Sequence, residues 1–253
     1  MRDNARMTRF VRTLAFALAF APAMALAAPP SLALEELTWT ELREAVKGGA
    51  TTILVPIGGT EQNGPHIALG KHNARASDLA QDIARTLGRA LVAPVIAYVP
   101  EGEVDPPTGH MKYPGTISIP ENAFERTLEG AAESFRRAGF RDVVFLGDHG
   151  GYRKSIARST DRLNRRWGGS GARAHSLPEY YAELPHAGRD DTSMSLAGKT
   201  RPLVRTDRIG PEAARGQGAA QDPSGATAEA GVALRQAIVD RSVEALRKAL
   251  ARR

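Results

Sequence analysis

The sequence predicts a three-layer α/β fold, in which helices cover both faces of a mostly parallel sheet. Short apolar runs rich in β-branched residues alternate with amphipathic helical patterns, and this alternation is typical of parallel sheets. Polar, glycine-rich stretches follow two of the predicted strands, after Gly58 and after Leu146. Because ligand sites in parallel sheets lie beyond the carboxyl ends of the strands, we expect these stretches to meet at one site.

The first half of the chain contains two predicted helices and three predicted strands. Residues 37–49 are amphipathic and end at a glycine pair, so they predict a short helix. The β-branched run from Thr51 to Gly58 predicts a buried strand. A helical pattern begins at Asn73, and apolar residues 91–99 predict the next strand. A long loop over 100–115 precedes a short predicted strand over 116–120.

The second half continues the alternation of helix and strand. Apolar residues recur at helical spacing from Glu121 until Gly139 ends the helix. A strand is predicted from Asp142 into the glycine pair at 150–151, then a helix over 152–167 and a strand over 172–181. A further helix is expected to start at Thr192, and the last 25 or so residues form a final amphipathic helix.

Residues 1–27 are predicted to be a secretory signal peptide. Four arginines precede a short apolar run that ends at Ala25-Leu26-Ala27, and an A-x-A sequence of this kind is a cleavage site. The run is too short for a comfortable membrane span, and an uncleaved anchor is the alternative. We expect cleavage after Ala27 and a periplasmic or secreted protein; a start at Met7 would keep the signal.

Composition predicts one domain over residues 28–253 and excludes several kinds of partner. The chain has 253 residues, of which 42% are hydrophobic, which is enough for one substantial core. Loss of the signal, with four Arg and one Asp, lowers the formal net charge from +6 to about +3. The basic residues form no stripe, so nucleic-acid binding is not expected. Because the chain has no cysteine, thiolate catalysis and Cys-based zinc sites are excluded.

Three residues at the two strand ends form a predicted metal site. Glu61 follows the first strand, His72 comes eleven residues later, and His149 stands beside glycines after another strand. Two imidazoles and a carboxylate can hold zinc, manganese or iron with open positions. The alternative is a polar loop without a ligand. A third polar cluster, "HAGRDDTS", contains His186 and Asp191.

Five stretches resemble, in order, the motifs of the creatininase (creatinine amidohydrolase) family. They are "VPIGGTEQNGPHIALGKH", "YPGTISIP", "GFRDVVFLGDHGGY", "HAGRDDTS" and "QDPSGATAEAG". The resemblance implies an α/β three-layer fold and a metal-dependent hydrolase that acts on C–N bonds of cyclic or linear amides. It also implies a small amide or lactam as substrate and a homo-oligomer, commonly a hexamer.

The resemblance also assigns roles to individual residues. Glu61 and His149 match two metal ligands of the family, Asp191 matches a glutamate ligand that is longer by one methylene, and His186 matches the histidine implicated in proton transfer. Three positions depart from the pattern: Asn63 replaces a histidine ligand, His72 an aspartate that bridges two metals, and Tyr152 an asparagine.

These departures predict one ion rather than two. A neutral imidazole offers one lone pair at a time and cannot bridge two cations as a carboxylate does, and an amide oxygen is a poor zinc ligand. We therefore expect one ion, zinc before manganese or iron, held by Glu61, His72 and His149. Asp191 is expected to be a fourth ligand or a partner of the ligands.

Other polar residues carry weaker expectations. His66 is expected to bond the loop backbone, with ligand or substrate contact as the alternative, and His110 is placed on a loop that can line the pocket. Asp148 either orients a ligand histidine or caps a helix, and Asn63 lines the site. The remaining candidates are expected to be structural or solvated: His175, Trp167, Glu101, Glu103 and Asp105.

Two functions of different classes follow from these patterns. The first is an exported metal-dependent amidohydrolase in which His186 transfers the proton. The alternative, suggested by Asn63 and Tyr152, is a non-catalytic periplasmic binding protein that keeps the fold. A flavodoxin-like nucleotide binder is disfavoured, because neither glycine-rich nucleotide fingerprint follows the strands.

Overall fold

The fold is built on a four-stranded parallel sheet in the order β2-β1-β3-β4. The computed structural model describes residues 29–251, and the predicted signal peptide lies outside them. The strands are β1 Thr52–Ile57, β2 Ala90–Val92, β3 Asp142–Gly147 and β4 Arg173–Ser176. The central strands β1 and β3 pair over their whole length, from Thr52 opposite Asp142 to Ile57 opposite Gly147. Their carboxyl ends therefore lie side by side at one edge.

Six α-helices surround the sheet within residues 29–251. They are α1 Trp39–Lys47, α2 Lys71–Leu87, α3 Glu121–Ala138, α4 Arg153–Arg166, α5 Arg189–Leu196 and α6 Ala228–Leu250. A short 3-10 helix precedes α1 at Leu34–Glu36, and others lie between the later helices, at Gly109–Lys112, Pro178–Tyr180, Gly198–Leu203, Thr206–Arg208 and Pro211–Ala214.

Each face of the sheet has its own hydrophobic core, which confirms the predicted three layers. Alternate strand residues such as Ile53 and Val143 pack with α1, α3 and α4 on one face. The intervening residues, such as Leu54 and Val144, pack with α2, α5 and α6 on the other. This pattern follows from the strand period of two, because successive side chains point to opposite faces.

The structure differs from the sequence expectations at several boundaries. The segment over 116–120 is not a strand, although Ile117 N–H donates to Thr60 O at 2.9 Å. The strand expected over 91–99 ends at Val92, because Pro94 supplies no N–H to continue the ladder. Helices α2 and α5 begin two and three residues earlier than expected, at Lys71 and Arg189. No helix in residues 29–251 has the length and apolarity to cross a membrane.

Candidate metal centre

The loop after β1 carries Glu61 to the carboxyl edge of the sheet, and tight packing fixes its course. Gly58 passes so close to α2 that a Cβ there would lie 2.7 Å from Asn73 Cα. The buried Tyr152 hydroxyl donates to Ile57 O at 3.0 Å and Gly58 O at 2.6 Å. Tyr152 therefore holds the end of β1, at the position where the resemblance leads one to expect an asparagine.

Glu61 is completely buried and its two carboxylate oxygens have different surroundings. Oε1 lies 2.7 Å from His72 Nε2. Oε2 accepts no hydrogen bond from a nitrogen or hydroxyl group within residues 29–251, and the carboxyl group of Glu101 lies close to that of Glu61. Burial raises the pKa of the Glu61 carboxyl, but the bond from His72 and the nearby positive charge outweigh it and lower the pKa far below its ordinary value. The carboxylate is therefore ionised, with one oxygen free to bind a cation.

The free oxygen of Glu61 faces two histidines. His110 Nε2 lies 3.3 Å from Oε2 and His149 Nε2 lies 3.8 Å from it. One donor atom from each of the three residues lies within 4.8 Å of the other two. Burial lowers the pKa of His149 to about 4, so the ring is neutral at pH 7 and can bind a metal. A buried carboxylate oxygen without a nitrogen or hydroxyl donor, beside two imidazoles, fits a divalent cation.

Sequence reasoning placed His72 in the metal site, and the structure places both of its ring nitrogens against carboxylates. Nε2 lies 2.7 Å from Glu61 Oε1, and Nδ1 lies 2.6 Å from Asp148 Oδ2. No ring nitrogen of His72 faces an open position in this arrangement. The role of His72 as a metal ligand stays a prediction that this geometry does not favour. Asp148 orients His72 rather than His149.

Asp191 is engaged in ion pairs instead of facing the cluster of Glu61, His110 and His149. Its Oδ2 accepts from Lys71 Nζ at 2.7 Å and from Ala187 N at 2.8 Å. Its Oδ1 accepts from Arg75 Nη1 at 2.5 Å. Burial raises the pKa of the Asp191 carboxyl, but Lys71 and Arg75 reverse this effect and hold the pKa well below its usual range. Both oxygens are therefore occupied by donors, and metal binding by Asp191 stays a prediction without geometric support.

Lys71 and Arg75 are buried cations that the sequence analysis did not identify as parts of the site. Both come from the first turn of α2, four residues apart on one face of the helix. Arg75 Nε also donates to Asp148 Oδ2 at 2.8 Å. A buried charge is tolerated when a partner neutralises it, and these cations neutralise Asp148 and Asp191. The spacing of Lys71 and Arg75 beside the apolar Ala76 and Leu79 was the available signal.

Glu101 is a further missed residue, because the acidic loop was expected to be solvated. Glu103 and Asp105 are indeed exposed, but the Glu101 carboxyl is buried beside Glu61. Its Oε2 lies 3.7 Å from His149 Nδ1, and the carboxyl group forms a hydrogen bond with the carboxylate of Glu61. Burial, followed by the charge of Glu61, raises the pKa of Glu101 to about 9. Glu101 is therefore protonated at neutral pH.

His186 lies at the edge of the cluster, as the proton-transfer expectation requires. Its Nε2–H donates to Gln62 O at 2.9 Å, and its Nδ1 lies 3.5 Å from Glu61 Oε1. The ring centroid is 4.3 Å from that of His110. Burial, with Lys71 nearby, lowers the pKa of His186 to about 3, so the ring is neutral and Nδ1 is unprotonated.

The other predicted residues hold the loop. Asn63 Nδ2 donates to Glu61 O at 2.9 Å, so its side chain shapes the loop rather than lining the pocket. His66 is fully buried and its Nε2 lies 2.9 Å from Thr192 Oγ1 on α5, which ties the loop to that helix.

His175 bonds Asp142 at 2.9 Å and Trp167 packs in the core, so both are structural as expected.

A small polar cavity of about 150 Å³ opens beside the cluster. His110, His149 and His186 line it, together with Tyr180 and Tyr181. The three histidines are only partly buried, with 18% to 25% of each side chain exposed. A small molecule can therefore reach the imidazoles while Glu61 stays inaccessible behind them.

Comparisons with known proteins agree on one family. A family model described as creatinine amidohydrolase matches residues 35–246. A mycofactocin precursor peptide peptidase of Mycolicibacterium smegmatis is 32% identical over 201 residues, which cover 71% of this chain and 77% of that protein. A creatinine amidohydrolase of Pseudomonas putida is 27% identical over 119 residues, covering 47% of this chain and 45% of that protein.

Solved structures share the fold. A crystal structure of creatinine amidohydrolase superposes with a TM-score of 0.72 and 23% identity, covering 86% of this chain and 97% of that one. A creatininase described with Mn has a TM-score of 0.72 and 23% identity, with 86% and 98% covered. Another creatininase is described as the Zn-Zn type, with a TM-score of 0.71, 23% identity and the same coverage.

Proposed function

The chain belongs to the creatininase family of hydrolases, and from this premise we propose that it is a metal-dependent amidohydrolase. The observation that carries the proposal is Oε2 of buried Glu61, which accepts no bond from a nitrogen or hydroxyl group within residues 29–251 and faces two imidazoles. Glu61, His110 and His149 would hold one divalent ion, with zinc preferred by the donor set and manganese or iron compatible with it. A bound ion lowers the pKa of water to about 7 and polarises a carbonyl.

The protein residues around the ion have separate tasks. Water adds its oxygen to the amide carbonyl carbon, the C–N bond breaks, and the nitrogen leaves as an amine with an added proton. His186 presents an unprotonated Nδ1 beside Glu61, so it can take the proton from water and return it to the leaving nitrogen. The protonated Glu101 supports Glu61 without adding a negative charge.

We propose one ion per chain because the neighbouring acids already have cations. Lys71 and Arg75 pair with Asp191, and Arg75 and His72 contact Asp148. A second divalent ion would have to displace a buried ammonium or guanidinium group from these carboxylates. The displaced cation would then be buried without a partner, which costs free energy. The sequence supplies another reason, because His72 stands where the family has an aspartate that bridges two metals. Both reasons predict one ion per chain.

The test is the metal content of the chain purified without chelator and reconstituted with zinc or manganese. We expect one equivalent in the unaltered protein and its loss in Glu61→Gln, His110→Ala and His149→Ala. His175→Ala is the matched control, because His175 is partly buried at a distance from the site and should keep the ion. Loss of metal in the first three variants should abolish amide hydrolysis.

Three results would contradict the proposal in different ways. Two equivalents in the unaltered protein would show that Lys71 and Arg75 do not exclude a second ion. No metal after reconstitution would overturn the hydrolase and favour the alternative, a periplasmic binding protein without catalysis. Metal that survives in His110→Ala but not in His72→Ala would restore His72 as the ligand.

We also propose that the protein is an exported homo-oligomer. Residues 1–27 have the pattern of a signal peptide, and the exposed Trp39 and Tyr98 offer apolar surface to another subunit. The hexamer suggested by the family resemblance is the expected assembly. Light scattering gives the number of subunits. The mass of a single chain at the concentration used for the activity assay would contradict the proposed oligomer.

A further inference from the structure

A second, larger cavity lies beside the candidate metal centre. It encloses about 510 Å³ at the carboxyl ends of β3 and β4, next to the cavity of about 150 Å³ at the histidines. Tyr181 lines both cavities, and Gly150, which lines the larger one, directly follows His149. An elongated molecule can therefore place one part at the histidines and another part in the larger cavity.

The walls of the larger cavity are mainly apolar. Phe145, Ile156 and Leu177 are buried core residues that form part of its lining, and Gly147 and Ala157 leave room between them. A Cβ at Gly147 would lie 2.8 Å from Ile156 Cδ1, so a larger residue there would change the cavity. An apolar group of the ligand gains free energy by leaving water for such a surface.

The charges of the larger cavity are positive. Arg153 and Lys154 line it and are exposed, and no acidic residue is in its lining. The Arg153 guanidinium lies 5.0 Å from the centroid of the Tyr181 ring, which places it at the wall shared with the smaller cavity. Two cations beside an apolar surface favour a ligand that has both a hydrocarbon group and a carboxylate.

Another cavity, which His149 itself lines, has the opposite charge. It has a volume of about 660 Å³ and no lysine or arginine in its lining, and Glu103 and Asp105 are exposed acids there, whereas Glu121 pairs with Arg158. A carboxylate is repelled from that cavity and attracted to Arg153 and Lys154. The two charge fields therefore give an amide substrate one preferred direction across the centre.

We propose that the Arg153 cavity binds the carboxylate-bearing, apolar end of a linear amide substrate, such as an N-acylated amino acid. This inference rests on the proposed function, because the amide next to that end would lie at Glu61, His110 and His149. Hydrolysis would add water across the C–N bond and leave the freed amine, with its carboxylate, in the larger cavity.

Binding is tested with 3-phenylpropanoate, which has an apolar ring and a carboxylate but no bond to hydrolyse. Calorimetry on the metal-loaded protein should show binding that weakens about tenfold in Arg153→Gln/Lys154→Gln. The uncharged analogue 3-phenyl-1-propanol should bind the unaltered and variant proteins equally. Arg165→Gln is the matched control, because Arg165 is exposed on the same helix outside the cavity.

Hydrolysis is then compared for N-acetylphenylalanine and its C-terminal amide. We expect a higher kcat/KM for the acid, and the preference should disappear in Arg153→Gln/Lys154→Gln through a raised KM. Equal binding of 3-phenylpropanoate by the variant, or binding lost only in Glu61→Gln, would place the carboxylate at the ion and overturn the inference. If no amide is hydrolysed while 3-phenylpropanoate still requires Arg153, the proposed activity fails and the carboxylate site stands.

Discussion

Lys71 has a buried ammonium group, and its contacts explain how the fold tolerates it. Nζ donates to Asp191 Oδ2 at 2.7 Å, and the same carboxylate accepts from Arg75. An ion without a partner in this position would lose its hydration without compensation. The ion pair therefore adds little to the free energy of unfolding compared with hydrophobic packing. Removal of one partner alone is costly, because it leaves the other charge buried and unpaired.

Removal of the Lys71 charge should destabilise the protein strongly. Lys71→Met is expected to lower the free energy of unfolding by about 3 kcal/mol, because Asp191 loses one of its two cations in a buried site. The double variant Lys71→Met/Asp191→Asn should recover part of this loss. Urea unfolding measures both, and Lys248→Met, which removes an exposed ion pair, is the control with little expected change.

Lys71→Met should also change how the free energy of unfolding depends on pH in the acid range. Burial raises the pKa of Asp191, but Lys71 and Arg75 lower it by more, so the folded pKa lies below the unfolded value of about 3.9. The stabilisation is therefore complete above that value and is lost as the pH falls toward the folded pKa. Lys71→Met should reduce this pH dependence between about pH 5 and pH 2. An unchanged pH dependence would show that Lys71 does not hold Asp191 ionised.

Single residues of the site were predictable to different degrees. Glu61 and His149 follow strands, and strand ends converge in every parallel sheet, so their meeting could be predicted. Glu101, Lys71 and Arg75 were missed because a charged residue is usually exposed. Only Lys71 and Arg75 had a local signal, which is their spacing beside the apolar residues of α2. The contacts of His72 with Glu61 and Asp148 could not be predicted either, because they depend on tertiary packing, and its role as a metal ligand stays a prediction.

Helices α3 and α4 are joined along their outer faces by a ladder of ion pairs. Three arginines on α4 alternate with four glutamates on α3, each arginine contacting two of them: Arg158, Arg162 and Arg166 with Glu121, Glu125, Glu129 and Glu133. Successive members are four residues apart, which is the spacing that keeps them on one face of a helix. The ladder therefore fixes α4, whose amino end carries Arg153 and Lys154.

The central rung of the ladder should be its most important one. Arg162 donates to Glu129 at 2.7 Å and to Glu125 at 2.6 Å, and both acids are mostly buried. Arg162→Gln is expected to lower the free energy of unfolding by about 1 kcal/mol at low salt and by less at high salt. Thermal and urea unfolding at two salt concentrations measure this. Arg165→Gln, on the same helix without an ion pair, should leave stability unchanged, and an equal loss in both variants would contradict the ladder.

Elements were predicted best where their pattern was long and regular. The buried runs of β1 and β3 and the amphipathic patterns of α3 and α6 gave both type and place, because a core on each face requires them. The pattern over 116–120 alternates as a strand does, but it lies over loops rather than at a sheet edge, so its N–H groups bond Thr60 and Val99. Local sequence does not specify which partner a short extended segment finds.

The predicted signal peptide of the whole chain precedes a folded body. Within residues 29–251, the Leu32 carbonyl accepts from Val92 N–H at 2.8 Å, and Ala33 forms a bridge with the same strand. The predicted cleavage site after Ala27 lies five residues before Leu32. Cleavage there would remove four arginines and leave the contacts of β2 intact.

Export and processing of the whole molecule give the last prediction. Expressed from the full chain, the protein should be recovered from the periplasm with an intact mass that lacks residues 1–27. Ala25→Arg should block this, because the cleavage site accepts only small side chains at the two alanines. Mass spectrometry of the periplasmic and membrane fractions separates the outcomes. A full-length chain held in the membrane would establish the uncleaved anchor, and a full-length chain in the cytoplasm would contradict export itself.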